Sequence, residues 1–178
     1  SYLGTYAADR QQQLGQLFLE PAQQLPNRRF VIGGAQYPRD FPWRPNIFFE
    51  RHVPPDQHPS FYAAARATLN ITRAAMAGCG WCPSGRLFEA AACAAPILSD
   101  WWDGIDDFFL PGSEVSIVRT TADVLAALDL GDDELSRIGL AARERVLAEH
   151  TADRRAAELV ALLGAAPGRA RVDCHQEA

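Results

Sequence analysis

Lysine is missing from this sequence: all 17 cationic side chains are arginines. A lysine nucleophile and the lysine of a P-loop are therefore excluded, while the arginine-for-lysine and alanine-rich usage reads as the codon bias of a GC-rich bacterial genome. Cationic excess is also lacking. Against those 17 stand 22 acidic residues, giving a net charge of −5 and a pI near 5.3. Nucleic-acid and anionic-lipid surfaces bind by releasing counterions to clustered cations, so neither partner is expected. No apolar run approaches the roughly 18 residues that cross a bilayer, so no membrane span is expected. No charged-then-apolar leader opens the chain, and four scattered cysteines do not make a secreted disulfide scaffold. These absences together point to a cytoplasmic setting. Any anion this protein holds must be gripped locally rather than by a general positive field.

What is present is an alternation of short apolar runs with helical periodicity over 178 residues, enough for one well-buried core. The runs predict strands at Tyr2 to Thr5, Arg29 to Ile32, Ile47 to His52, Thr68 to Thr72, Ile97 to Ser99 and Val115 to Arg119. Helices are predicted at Arg10 to Leu19, where Pro21 limits extension, His58 to Arg66, Ser84 to Ala94, Ala122 to Leu128, Asp133 to Glu149 and Ala152 to Leu163. The longest of them places Leu135, Ile138, Leu140, Ala141 and Val146 near helical spacing. Strand–helix alternation of this kind predicts an α/β, Rossmann-like, three-layer domain with a parallel sheet of about six strands. It should occupy residues 1–163 and leave 164–178 as a flexible tail. The abrupt opening SYLGTYAADR reads as a first strand, as in a segment cut from a longer protein.

Two stretches stand out. AQYPRDFPWRPN, residues 35–46, carries three prolines and three aromatics, as a connector over a sheet edge or the wall of a cleft does. Residues 79–96, CGWCPSGRLFEAAACAAP, admit three chemistries. A thioredoxin-like Cys79/Cys82 pair would need its first thiol at a helix N-terminus, yet Pro83 and Ser84 intervene before the helix begins. A zinc knuckle needs four ligands, and no second pair lies at ligand spacing, since Cys174 and His175 sit in the tail. The third reading is an anion site at the helix start. Ser84 is a good N-cap residue, Gly85 lets the backbone approach a ligand, and the free amides of a helix N-terminus attract anions. Arg86 adds a forked cation suited to phosphate. Glu89 lies one turn further on the same face, where its carboxylate could accept both hydrogens of a ribose diol. The competing reading is an Arg86–Glu89 surface ion pair at i,i+3.

RLFEAAACAAPILSDWWDGIDDFFLPGSEV resembles the C-terminal half of GT-B glycosyltransferases, and within them the CgeB-like branch. The similarity extends through LGTYAADRQ, RFVIGGAQYP, FYAAARATLNITRA and LAEHTADRRAAEL. The resemblance implies a donor-binding domain of a hexosyltransferase-like enzyme. Such a domain takes a nucleoside-diphosphate sugar as substrate, needs no cofactor or metal, and works with an N-terminal acceptor domain of the same protein. By position, Glu89 matches the acid that holds the donor ribose. Ser84, Gly85 and Arg86 match the diphosphate end of the same helix, and Gly4, Thr5 and Arg10 match the first strand-to-helix loop beside the phosphates. His52 matches the base edge, and Asp100 ends a strand on the cleft side. Trp81 stands where many retaining members have a second acid, and Ala94 and Ala95 stand where the branch has Gly and Thr. Without the acceptor domain the chain is expected to bind donor weakly and transfer nothing. Two alternatives remain: a non-catalytic Rossmann-like interaction module using exposed Tyr37, Phe41 and Trp43, and a Cys-x-x-Cys thiol-redox protein.

Overall fold

In the computed structural model, which describes residues 1–165, six strands form one sheet in the order β3-β2-β1-β4-β5-β6. They are β1 (Tyr2–Leu3), β2 (Phe30–Gly33), β3 (Ile47–Glu50), β4 (Thr68–Asn70), β5 (Ile97–Ser99) and β6 (Ser116–Ile117). Every pairing is parallel, with Tyr2 opposite both Ile32 and Leu69. Each expected strand exists: β5 has the expected bounds, β2 is shifted by one residue, and β1, β3, β4 and β6 are shorter at their carboxyl ends, where the backbone turns into loops. The strand order reverses between β1 and β4, and outside the carboxyl ends of such a switch point lies the usual ligand crevice of open α/β sheets.

The first crossover begins with a 3₁₀ turn at Ala8–Arg10, then α1 (Gln11–Leu14), a π-helical turn at Gly15–Leu19 and α2 (Glu20–Gln24). Pro21 was expected to limit the helix near Leu19. Instead the amide of Glu20 reaches back to the Gly15 carbonyl, and this wider turn accommodates the donor that proline lacks. After β3 comes α3 (His58–Ala63), which stops short of Arg66. Then follow α4 (Ala74–Cys79), α5 (Gly85–Ala92), α6 (Ile105–Phe108), α7 (Thr121–Asp129), α8 (Asp132–Glu149) and α9 (Ala152–Ala165). The one-turn helices α4 and α6 carry too few residues for a periodic pattern and escaped the sequence. Gly164, expected to close the last helix, lies inside it. From residue 166 on, the expected tail, with Cys174 and His175, lies outside the described residues.

Adjacent strand residues face opposite sides, so Tyr2 and Leu3 found two different cores. Tyr2 joins Leu14, Leu17, Phe18, Ile32, Leu69 and Val124. Leu3 joins Tyr62, Leu87, Ala91, Ile97, Ala142 and Val146, which brings α3, α5 and α8 onto the other face. The sheet is thus sandwiched, giving the expected three layers. Leu87 alone, fully buried on α5, contributes about 2 kcal/mol by area removed from water.

Along α8 the buried positions are Leu135, Ile138, Gly139, Ala142 and Val146. Leu140, expected on that face, is half exposed, and Gly139 takes the place beside Ile138. A Cβ on Gly139 would fall 2.2 Å from the Ala94 carbonyl oxygen, so this glycine is what lets α8 lie against the exit of α5. That exit turns through Ala94 in the left-handed region, at φ 55°. A glycine would adopt that conformation without strain.

Candidate functional site

The carboxyl ends of β1 to β4 and the first turns of α5 enclose an open cleft of about 410 Å³. Of the site residues expected from sequence, Gly4, Thr5, Arg10, His52, Ser84, Arg86 and Glu89 line it. Gly85 and Asp100 are not among its lining residues.

Arg86 sits at the switch point itself. Its guanidinium donates from Nη1 to the Leu3 carbonyl at the end of β1, from Nη2 to the Ile71 carbonyl beyond β4 (3.2 Å), and from Nε to the Ser84 hydroxyl (3.1 Å). Its carbon lies 5.7 Å from the Tyr2 ring centroid. Three of the five N–H groups of a guanidinium are thereby used, leaving two, and no carboxylate among the described residues pairs with it. Gly4 is required by this arrangement: a Cβ there would meet Arg86 Nη1 at 2.9 Å and Tyr2 Oη at 2.8 Å. The glycine thus serves the close approach of the Arg86 guanidinium. Likewise a Cβ on Gly34 would lie 2.1 Å from the Gly4 carbonyl oxygen.

Ser84 occupies the N-cap position with extended backbone, but its side chain makes no capping bond and accepts from Arg86 instead. The expected capping role is corrected accordingly. The Leu87 amide is satisfied by the Ser84 carbonyl (3.0 Å), while the amides of Gly85 and Arg86 find no acceptor among the described residues. An uncapped helix N-terminus beside an unneutralised guanidinium concentrates positive potential on one spot. Arg10, 6% exposed, reinforces it. Its Nη2 donates to the Thr5 carbonyl, its Nε is buried with no partner, and it too lacks a carboxylate.

Glu89 does not pair with Arg86. Its Oε2 lies 3.0 Å from Nδ1 of His58, the first residue of α3, whose Nε2 lies 3.1 Å from the Val53 carbonyl. The carboxylate, 48% exposed, opens into the same cleft as the α5 N-terminus. Burying an acid unpaired within the apolar α5 would cost several kcal/mol, and the cleft removes that cost. One turn beyond His58, Tyr62 is buried with its hydroxyl unpartnered. Burial first, and the Glu89 carboxylate next, push its ionisation well above the ordinary phenol range.

His52 holds a left-handed backbone at φ 88°, with its amide shared between the Gly34 and Glu50 carbonyls, and it presents its edge to the cleft. Asp100, buried at the end of β5, accepts from the Thr72 amide at 3.0 and 2.9 Å and from the Thr72 hydroxyl at 3.0 Å. Desolvation raises its pKa despite those bonds. It acts on the cleft through Thr72, which lines the pocket, rather than from the cleft side as expected. The sequence reading missed His58, Thr72, Arg73 and Gly34. The HPS start of α3 was visible, but nothing in the sequence says that a residue 31 positions before Glu89 meets it.

Of the three aromatics expected to be exposed, Trp43 is (36%), whereas Phe41 is 5% accessible and Tyr37 is partly buried, its hydroxyl donating to the Gly4 carbonyl at 3.0 Å. With Trp43 and Phe49 they form an aromatic wall behind β1 to β3. Cys79 ends α4 and Cys82 precedes α5 in the loop, so the first thiol does not stand at a helix N-terminus. The described residues contain no group of three or more metal-ligating side chains. No helix among them is long and apolar enough to cross a membrane.

The six-stranded parallel sheet with its flanking helices has the fold of the C-terminal domains of GT-B glycosyltransferases. Sucrose-phosphate synthase from Thermosynechococcus elongatus superposes with a TM-score of 0.70 at 14% identity, over 93% of this chain and 46% of that one. Anabaena HepE in complex with UDP-glucose gives 0.69 at 12% identity, over 92% and 48%. The C-terminal domain of the glycosyl transferase group 1 family protein LpcC from Francisella tularensis gives 0.60 at 13%, over 85% and 86%. The chain thus spans about half the length of the first two, and nearly the whole of an excised C-terminal domain. No curated protein matches the sequence. Residues 10–161 match the family model described as glycosyl transferase-like, and the chain belongs to that family.

Proposed function

We propose that this chain is the donor-binding domain of a GT-B glycosyltransferase, which moves a hexose from a nucleoside-diphosphate sugar to an acceptor. One observation carries the reading. Glu89, Ser84 at the start of α5, and two arginines without carboxylate partners among the described residues line one cleft at the β1/β4 switch point. In this reading the diphosphate rests at the start of α5 between Arg86 and Arg10, and the ribose diol donates to Glu89. Departure of the nucleoside diphosphate builds negative charge where those donors already point, which lowers the barrier without reorganisation. The chain's own residues thereby supply the diphosphate's partners, so the proposed mechanism uses no cofactor or metal. HepE, crystallised with UDP-glucose, supports the substrate class by fold.

An acceptor domain in the same protein is part of the proposal. Helix α9 leaves Leu159, Val160, Leu162 and Leu163 between 57% and 70% exposed, an apolar surface suited to a neighbouring domain. Alone, the chain should bind donor and transfer nothing. A cytoplasmic setting and the CgeB-like branch belong to the same reading, on the sequence pattern alone.

Titration of UDP, GDP, ADP and TDP against wild type and Glu89→Ala tests the proposal. One base should bind, and its affinity should fall about tenfold or more in the variant, the loss of a hydrogen-bonded diol on a charged acceptor. Equal binding by both proteins, or none by any nucleotide, would overturn it.

A further inference from the structure

We propose that His58 is a positioning residue for donor recognition: it fixes the Glu89 carboxylate to the backbone of the loop after β3 and so sets selectivity for the ribose diol. The inference rests on the reading of Glu89 as the ribose acid.

His58 stands between two oxygens that can only accept. Nε2 is 3.1 Å from the Val53 carbonyl and Nδ1 is 3.0 Å from Glu89 Oε2. Each contact is a hydrogen bond when the ring nitrogen that makes it carries hydrogen, since both partners can only accept. The ring is held by more than these two bonds. It lies on the same face of α3 as Tyr62, with centroids 6.3 Å apart, and its side chain is only 23% exposed. Val53, the anchor, is itself buried, 7% exposed. Its loop holds His52 in a left-handed conformation and lines the cleft opposite α5. The chain of contacts runs from that loop, through one rigid ring, to a glutamate side chain that is otherwise half exposed and free to rotate.

A half-exposed glutamate samples several rotamers, and fixing one before the ligand arrives removes that cost from binding. With one lone pair of Oε2 taken by Nδ1, Oε1 and the remaining lone pair of Oε2 are left to accept, which is the pair of acceptors a vicinal diol needs. Arg86 cannot serve as the orienting group, because its donors go to Leu3, Ile71 and Ser84. The Tyr62 hydroxyl is buried without a hydrogen-bond partner, so it does not hold the carboxylate either.

The two nitrogens can be separated by substitution. Asparagine places its amide nitrogen where Nδ1 lies and glutamine places its own where Nε2 lies. His58→Asn therefore keeps a donor for Glu89 and loses the Val53 anchor, whereas His58→Gln keeps the anchor and frees Glu89. The readout is the affinity ratio of each ribonucleoside diphosphate to its 2′-deoxy counterpart, beginning with UDP and 2′-deoxy-UDP, by calorimetry on the 178-residue chain. Thermal melts confirm that each variant is folded.

Wild type should favour the ribonucleotide by about tenfold, the value of one hydrogen bond to a charged acceptor. Glu89→Ala should abolish the preference. His58→Gln should reduce it to about threefold or less, and His58→Asn should retain more of it than His58→Gln does. A His58→Gln protein that keeps the wild-type ratio, while Glu89→Ala loses it, overturns the positioning role and leaves the ribose acid standing. Equal weakening of both nucleotides in the His58 variants has the same meaning, since a merely structural residue cannot distinguish them. A wild-type protein without preference, or a Glu89→Ala protein that keeps it, overturns the ribose reading and this inference with it.

Discussion

Arg86→Met tests the centre of the site, because it removes the charge and the donors while keeping an unbranched apolar stem. Two consequences separate. The first is structural: the carbonyls of Leu3 and Ile71 lose a shared donor that ties β1 to the end of β4 across the switch point. Hydrogen bonds to charged groups are worth about 1.5–3 kcal/mol each when buried, but this cleft is open and water can replace the guanidinium. About 1 kcal/mol per carbonyl is then reasonable, or about 2 kcal/mol in all. For a domain of this size that corresponds to a melting point lower by about 4–8 °C. The second is functional. Losing an unneutralised cation beside a diphosphate should cost about 2 kcal/mol of binding, roughly 30-fold in Kd. Arg86→Lys should recover part of the binding and little of the stability, because a single ammonium cannot bridge two carbonyls in the fork geometry of arginine. Differential scanning fluorimetry and nucleotide calorimetry on the same preparations measure the two effects. A Met variant that melts lower yet binds nucleoside diphosphate as wild type does would show that Arg86 is a strand clamp with no phosphate role. A variant unchanged in both would refute the geometry itself.

Four further outcomes are expected. Ala94→Gly should stabilise the fold by about 0.5–1 kcal/mol in chemical denaturation, since relief of a left-handed alanine exceeds the added entropy of the unfolded chain; Gly139→Ala should destabilise it by about 2 kcal/mol or more by colliding with the Ala94 carbonyl. Asp100→Ala should cost about 2–4 kcal/mol, because it strands the Thr72 amide and hydroxyl in the interior, and Asp100→Asn should cost less; equal melting of the two variants would contradict this. Burial holds the His150 pKa below its ordinary value of 6.5, with the ring donating to the Phe108 carbonyl and packed on Phe88. The unfolded chain therefore takes up the proton first as pH falls, so stability from this group is present above pH 6.5 and lost as pH drops through the window below it; His150→Gln should flatten the stability profile below pH 6.5.

Local chemistry made much of this protein readable in advance. The six β-branched or aromatic runs could be only short strands, and their alternation with helical periodicity implied a parallel sheet before any coordinate was known. The Pro-Ser-Gly-Arg start of α5 and the acid one turn along it were legible because helix phase is a local property. The one-turn helices α4 and α6 were not legible, since four to six residues carry no period. Nor was the passage of the first helix through Pro21, which depends on a π turn that Leu17 and Phe18 stabilise by packing on the sheet.

Which partners the site residues take was decided by tertiary structure alone. Sequence spacing offered Glu89 to Arg86 at i,i+3. The fold instead brings the ends of β1 and β4 to Arg86 and the first turn of α3 to Glu89, and backbone carbonyls outcompete the helical neighbour for the guanidinium. Gly4, Gly34 and Gly139 looked alike as letters, yet each is needed because a different distant atom lies within 3 Å of where its Cβ would be. The sequence by itself determined the elements and the chemistry on offer, because those follow from each residue and its near neighbours. Only the folded sheet could decide which groups meet, because contacts across 31 or 83 positions are set by packing.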